Sequence, residues 1–193
     1  IRYNIVSNRF YFTYQHKQYE MEFFANDLET VLDEVMRVDE IWINELVTYQ
    51  NLYGTLERIL RLKKEQGARI LMLLHDFFAL CPAVNLIDAQ GKYCSVGSCQ
   101  VCDKCIPDNG SNACTEYGSG TLWRRKFREF LLNCDEIRAF SDDTAKLFKK
   151  AYPDVYHLHV IPHTPHYLPA VKKVRKTTET FNIGLIGVLC YKK

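Results

Sequence analysis

Apolar positions in this chain come in short runs whose period changes from about two to about 3.6 and back. Residues 3–24, YNIVSNRFYFTYQHKQYEMEFF, are dense in Tyr, Phe and Val, with Ser7-Asn8 as a turn, and predict one or two short strands. In NDLETVLDEVMRV (26–38), Leu28, Val31, Leu32 and Val35 recur at helical spacing, with Asn26 or Asp27 as N-cap. EIWINEL (40–46) reads as a strand. NLYGTLERILRLKKEQG (51–67) is an amphipathic helix with Leu52, Leu56, Ile59 and Leu60 as its stripe and Gly67 as its stop. ARILMLLHD (68–76) is apolar almost to its end, as a strand buried on both faces of a parallel sheet should be.

Periodicity then fades from 77 to 118. It returns in GTLWRRKFREFLLNC (120–134), a basic amphipathic helix with Leu122, Phe127, Phe130 and Leu131 inward. EIRAFS (136–141) follows as a strand, DDTAKLFKKAY (142–152) as a helix and VYHLHVIP (155–162) as a strand. Residues 163–180 are polar and Pro-containing and read as a linker. FNIGLIGVL (181–189) is a further apolar strand. Strand–helix alternation with short links predicts an α/β, Rossmann-like fold: a mostly parallel sheet flanked by helices, here with a cysteine-rich loop insertion. Ligands of such sheets bind outside the carboxyl ends of the strands. His75-Asp76, Ser141 and His163 stand at three such ends.

Composition narrows the function classes. Lys plus Arg total 25 and Asp plus Glu 23, a net charge of +2 in 193 residues, without the clustered basic surface of a nucleic-acid binder. No apolar run reaches the ~18 residues of a membrane span. No basic n-region and apolar h-region open the chain, and Ile1 in place of Met suggests a fragment. A cytoplasmic setting is expected.

Six of the eight cysteines fall between 81 and 114, and clustering in an otherwise ordinary chain favours reduced thiols and a metal. Cys99, Cys102 and Cys105 form two overlapping C-x2-C pairs, with Cys94 four residues ahead of them and Cys81 and Cys114 nearby. Tetrahedral zinc takes four such thiolates at ~2.3 Å. Spacing alone allows several ligand sets, and free thiols, a disulfide or an iron–sulfur cluster are alternatives. The loop is poor in Leu, Ile and Val after Ile87, so burial cannot easily offset an ordering cost of ~1–2 kcal/mol per residue. The thiols are then the only local candidates for holding it, and at least four are expected to converge.

The order LHDFFALCP, NLI, GKYC, CQVCDKC, a basic helix, EIRAFSDDTAKLFKKAYP, HVIPH and FNIGLIGVLCYKK resembles glycosyltransferase family 4 over residues 36–193. The likeness is greatest to bacterial members that build cell-wall, capsule or O-antigen glycans. These are enzymes of two facing Rossmann-like domains. The resemblance implies that residues 1–162 form the acceptor-side domain, 163–180 the interdomain linker and 181–193 the first strand of a nucleotide-sugar domain. It implies retaining transfer from a nucleotide-sugar to a glycan or lipid-linked acceptor, at the inner face of the membrane and without a catalytic metal. Transfer would be driven by stabilising the departing diphosphate in the second domain.

His75 and Asp76 would then be catalytic, and Phe77, Ser141 and His163 would bind substrate. Gly187 and Lys192 would approach the donor phosphates. Cys81, Cys94, Cys102 and Cys105 would hold a structural zinc ion. Two departures stand out: no glycine-rich loop precedes residue 30, and the paired-glutamate motif of the second domain is missing. The chain is therefore expected to be an internal piece, inactive alone.

Blander readings accompany several of these residues. Asp76 can cap the following turn, with His75 a satisfied rim residue. Ser141-Asp142-Asp143 is a ready N-cap with an acidic first turn. RRKFR (124–128) suits anionic lipid or a diphosphate-linked acceptor, or is simply the solvated face of its helix. A non-catalytic module that binds a glycan or a protein, with a structural zinc site, is the rival class.

Overall fold

The computed structural model describes residues 1–4, 9–16, 19–26, 38–47, 49, 51–113 and 118–163. The helix expected over 26–38, most of the linker, the strand over 181–189, Cys114, Gly187 and Lys192 fall at least in part outside them. What is described is an α/β fold of Rossmann-like type, preceded by an antiparallel meander. No helix among these residues is long and apolar enough to cross a membrane.

The meander comprises β1 (Arg2–Asn4), β2 (Arg9–His16) and β3 (Tyr19–Ala25). It pairs Arg2 with Tyr11 and His16 with Tyr19, three strands where the sequence suggested one or two. Phe12 is buried, and the Phe10 ring meets Tyr49 at 5.8 Å.

The main sheet is parallel throughout. Its strands β4 (Glu40–Ile43), β5 (Arg69–Leu74), β6 (Glu136–Ala139) and β7 (Leu158–Val160) lie side by side in chain order. Between β4 and β5 runs helix α1 (Leu52–Gln66). The Asn51 side chain accepts the Gly54 amide at its start, and Gly67 ends it at φ 72°, a left-handed conformation that a side chain would strain. Leu52, Leu56, Ile59 and Leu62 are its buried stripe, with Leu60 half-buried beside them.

Helices α2 (Cys99–Cys105) and α3 (Gly120–Asn133) fall between β5 and β6, and α4 (Asp142–Ala151) lies between β6 and β7. One core unites the helices with Ile43, Ile70, Met72, Leu74, Ile137, Ala139 and Leu158 from the strands. Trp123 and Phe127 are fully buried at its centre. Strand β7 is shorter than its apolar run, because Pro153 and Pro162 bracket it and Tyr156 is exposed.

The loop after β5 is better ordered than its composition suggested, and thiols are not its only fasteners. Leu86, Val96 and Ile106 are buried anchors. Asp88 accepts the amides of Gln90 and Lys92 and closes a turn, while Ile87 bridges Tyr93. Buried Asn109 donates to the Ile87 carbonyl at 2.6 Å and accepts the Ser111 amide. Ser98 caps α2, and the Ala113 amide reaches the Pro82 carbonyl at 2.9 Å. These bonds and buried anchors contribute to ordering the loop without any thiol.

Candidate functional site

Strand β5 ends at Leu74, and the next residue, His75, is exposed where the chain turns away. Phe140 follows the end of β6, and His163 lies three residues beyond β7. Because the three strands are adjacent and parallel, their carboxyl ends bring these side chains together. The His75 ring lies 4.5 Å from Phe140, and the His163 ring 3.8 Å from it at an interplanar angle of 9°. The two imidazoles are 5.5 Å apart. At 5.5 Å the imidazoles are too close together for the phenyl to be sandwiched between them, and both are exposed. The result is an exposed cluster of two imidazoles and a phenyl with near-parallel ring planes, and with ring nitrogens that can donate or accept.

Asp76 is half-buried next to this surface. Its Oδ1 accepts the Phe78 amide at 2.8 Å, the turn-capping role that was the simpler of its two readings. Burial pushes its carboxyl above the ordinary carboxylate range. The Phe78 amide and His75 pull it back, and the Glu45 charge beyond β4 raises it further.

The turn itself is fastened from below. Trp123 Nε1 donates to the Phe78 carbonyl at 2.9 Å, Tyr152 Oη to the Ala79 carbonyl at 2.5 Å, and Arg124 Nε to the Leu80 carbonyl at 2.7 Å. Three consecutive carbonyls are thus held by buried side chains from α3 and the end of α4. Phe77 is half-buried against the core, and its carbonyl accepts the Leu80 and Cys81 amides, so its backbone builds the turn beside His75. The Ser141 hydroxyl is engaged too: it caps α4 by accepting the Thr144 amide and lies 3.0 Å from the Thr144 hydroxyl.

Of the residues singled out in the sequence, His75, Asp76 and His163 come together here. Phe140, Trp123 and Tyr152 were missed, and Arg124 was read only as part of the basic run on its helix. Phe140 directly precedes Ser141 at a strand's carboxyl end, so the positional rule that flagged Ser141 covers it as well. No periodicity marks the other three, because their polar atoms act on a loop distant in sequence.

The cysteines stand around Cys102. Its sulfur lies 3.9 Å from the Gly97 carbonyl; burial raises its thiol, the Arg124 charge lowers it, and Cys94, Cys99 and Cys105 raise it further. Burial pushes the Cys81 thiol up to about 11. Cys81, Cys94, Cys99, Cys102, Cys105 and Cys134 are all free thiols. Among the described residues no three His, Cys, Asp or Glu side chains are gathered closely enough to hold a metal ion. Thiolate is a donor that zinc takes, but the convergence of at least four thiols expected from the sequence is not found among the described residues; Cys102 instead receives the Arg124 guanidinium at 3.8 Å.

A small pocket lies at the opposite end of the strands, lined by Glu40, Trp42, Arg69, Glu136 and Arg138. Its charges satisfy one another: Arg69 binds Glu40 at 3.0 Å, Arg138 binds Glu136 at 2.5 Å, and Trp42 Nε1 donates to Glu40. Of the basic run on α3, Arg124 is buried, Lys126 pairs with Glu57 and Arg128 with Asp154, so the run is not one solvated stripe. The chain matches no family model, no curated protein and no solved structure.

Proposed function

We propose that this chain is the acceptor-side half of a retaining glycosyltransferase. In this reading the parent enzyme moves a sugar from a nucleotide-sugar to a glycan or lipid-linked acceptor during cell-surface polysaccharide synthesis. The observation that carries the proposal is the meeting of His75, Phe140 and His163 at the carboxyl ends of three adjacent parallel strands. A flat ring surface with polar edges suits a pyranose, whose C–H face packs on aromatic rings while its hydroxyls reach the imidazole nitrogens.

His75 orients the acceptor or the transferred sugar, and Asp76 holds the turn and accepts or supplies a proton at its carboxyl. His163 closes over Phe140 from the start of the linker. The family resemblance assigns Gly187 and Lys192, which lie outside the described residues, to donor-phosphate binding, and Cys81, Cys94, Cys102 and Cys105 to a structural zinc ion. The enzyme works in the cytoplasm at the inner face of the membrane. With Arg124, Lys126 and Arg128 already occupied, the α3 run adds little to lipid contact.

The test is a screen of radiolabelled nucleotide-sugars with the full-length parent and membrane lipid extracts, repeated with His75→Ala. Label transfer that falls at least a hundredfold in the variant supports the proposal. Transfer unaffected by His75→Ala contradicts it. Glycan binding without any transfer favours the binding-module alternative.

A further inference from the structure

The carboxyl ends of the four parallel strands share one rim, and none of them carries Lys or Arg. Ile43 lies opposite Met72, so Asn44 and Glu45 leave the sheet beside the end of β5 and its His75-Asp76. Leu74 lies opposite Ala139, so Phe140 and Ser141 come next, and Asp142 and Asp143 open α4. Ile161-Pro162-His163 completes the row beyond β7. The segments 44–47, 75–77, 140–143 and 161–163 thus hold Glu45, Asp76, Asp142 and Asp143 with neither Lys nor Arg. The arginines of the strands, Arg69 and Arg138, line the small pocket at the other end of the sheet.

Two of these carboxylates are already engaged. Asp76 caps its turn through the Phe78 amide, and Asp143 pairs with Lys146 at 3.2 Å. Glu45 and Asp142 are exposed and form no ion pair among the described residues. The Glu45 charge is felt at the rim: burial raises both the Tyr49 hydroxyl and the Asp76 carboxyl, and in each Glu45 adds to the rise. Asp142 stands in the first turn of α4, where negative charge is favoured.

The stacked rings of His75, Phe140 and His163 are the site, and the carboxylates set the charge around it. An ionised carboxylate accepts hydrogen bonds and donates none. Sugar hydroxyls or a sugar ammonium can donate to it, and such charge-assisted bonds are the stronger ones. A uronic acid or a phosphorylated sugar brings another anion that meets no Lys or Arg at these strand ends.

We propose that this rim selects neutral and amino sugars over acidic ones, with Glu45 as the specificity-determining residue and Asp142 as its second. The selection rests on the glycan reading of the ring cluster.

The experiment titrates the whole chain at neutral pH and low salt with methyl glucoside, methyl glucuronide and methyl glucosaminide. Affinities are read from the side-chain resonances of His75, Phe140 and His163. The glucuronide differs from the glucoside only in carrying a carboxylate for a hydroxymethyl group, and the glucosaminide only in carrying an ammonium for a hydroxyl. We expect the glucoside to bind about threefold or more tightly than the glucuronide, and the glucosaminide at least as tightly as the glucoside. Glu45→Gln keeps the side chain's size without its charge and should lower the glucoside-to-glucuronide ratio about twofold or more. Asp142→Asn should lower it less, and the double variant should bring it close to unity. Raising NaCl to about 0.5 M should shrink the wild-type ratio too, a response that a purely steric preference would not give. A wild-type ratio below threefold overturns the selection and leaves the glycan reading standing. A ratio that persists in Glu45→Gln and in the double variant overturns the assignment to these carboxylates. Ring resonances that none of the three sugars moves overturn both the selection and the glycan reading.

Discussion

The turn at 75–80 and the loop at 87–113 are near neighbours in the chain, yet different physics holds them. The turn is fixed from outside itself: Trp123, Tyr152 and Arg124, all remote in sequence, each hold one of its carbonyls from within the core. The loop is fixed mostly from within, by Asp88, Asn109 and Ser98 bonding backbone a few to about twenty residues away. A site that positions a ligand within a fraction of an ångström needs the first kind of support, since side chains locked in a close-packed core have little freedom to drift.

Removing the core fastener should therefore have the largest effect. Trp123→Ala deletes a fully buried indole and leaves the Phe78 carbonyl unmet, and urea unfolding should report a loss of about 3–5 kcal/mol. A loss under 1 kcal/mol would mean that the turn is not anchored through α3. In the loop, Asn109→Ala orphans the Ile87 carbonyl and should cost about 1–3 kcal/mol, expressed as faster proteolysis between 87 and 113 with the Trp123 environment unchanged. Global unfolding at the same protease concentration would erase the distinction between the two regions.

Smaller effects sharpen it further. Ser141→Ala removes the α4 cap and should lower stability by about 1 kcal/mol while leaving glycan binding intact, since its hydroxyl is turned to the helix. Asp76 carries a pH signature. Its folded carboxyl titrates above its unfolded one, so the folded state is penalised only where the group is ionised, and stability falls as pH rises from the acid range through its folded pKa. Asp76→Asn, which can still accept the Phe78 amide, should therefore be more stable than wild type at neutral pH and equal to it in strong acid. A gain that is the same at every pH would remove desolvation as the cause. His75→Ala, at an exposed rim, should change stability by less than about 0.5 kcal/mol.

The sheet was largely legible in the sequence because its strands and helices each bury one repeating face. Leu52, Leu56 and Ile59 announced α1, and Gly67 its end. The His75 position followed from where an apolar run met a polar pair. Other features were hidden for physical reasons. The three N-terminal strands look like one or two when the chain between them gives a single turn signal. Helix α2 is too short to show a period, and three of its seven residues are the cysteines themselves. The donors that fasten the 78–80 carbonyls lie 44, 45 and 73 residues away, a separation that no local pattern records. Arg124 was the sharpest surprise: a basic run on an amphipathic helix ordinarily faces solvent, and here one member is buried against a sulfur.

The most direct measurement is side-chain NMR of the imidazole and phenyl groups as the chain is titrated with candidate acceptor glycans and with nucleotide-sugars. If the carboxyl end of the sheet is where a sugar rests, a glycan should shift the His75, His163 and Phe140 resonances together and leave Trp42, at the far end of the strands, unmoved. Shifts at Trp42 with none at the three stacked rings would contradict the assignment of the site.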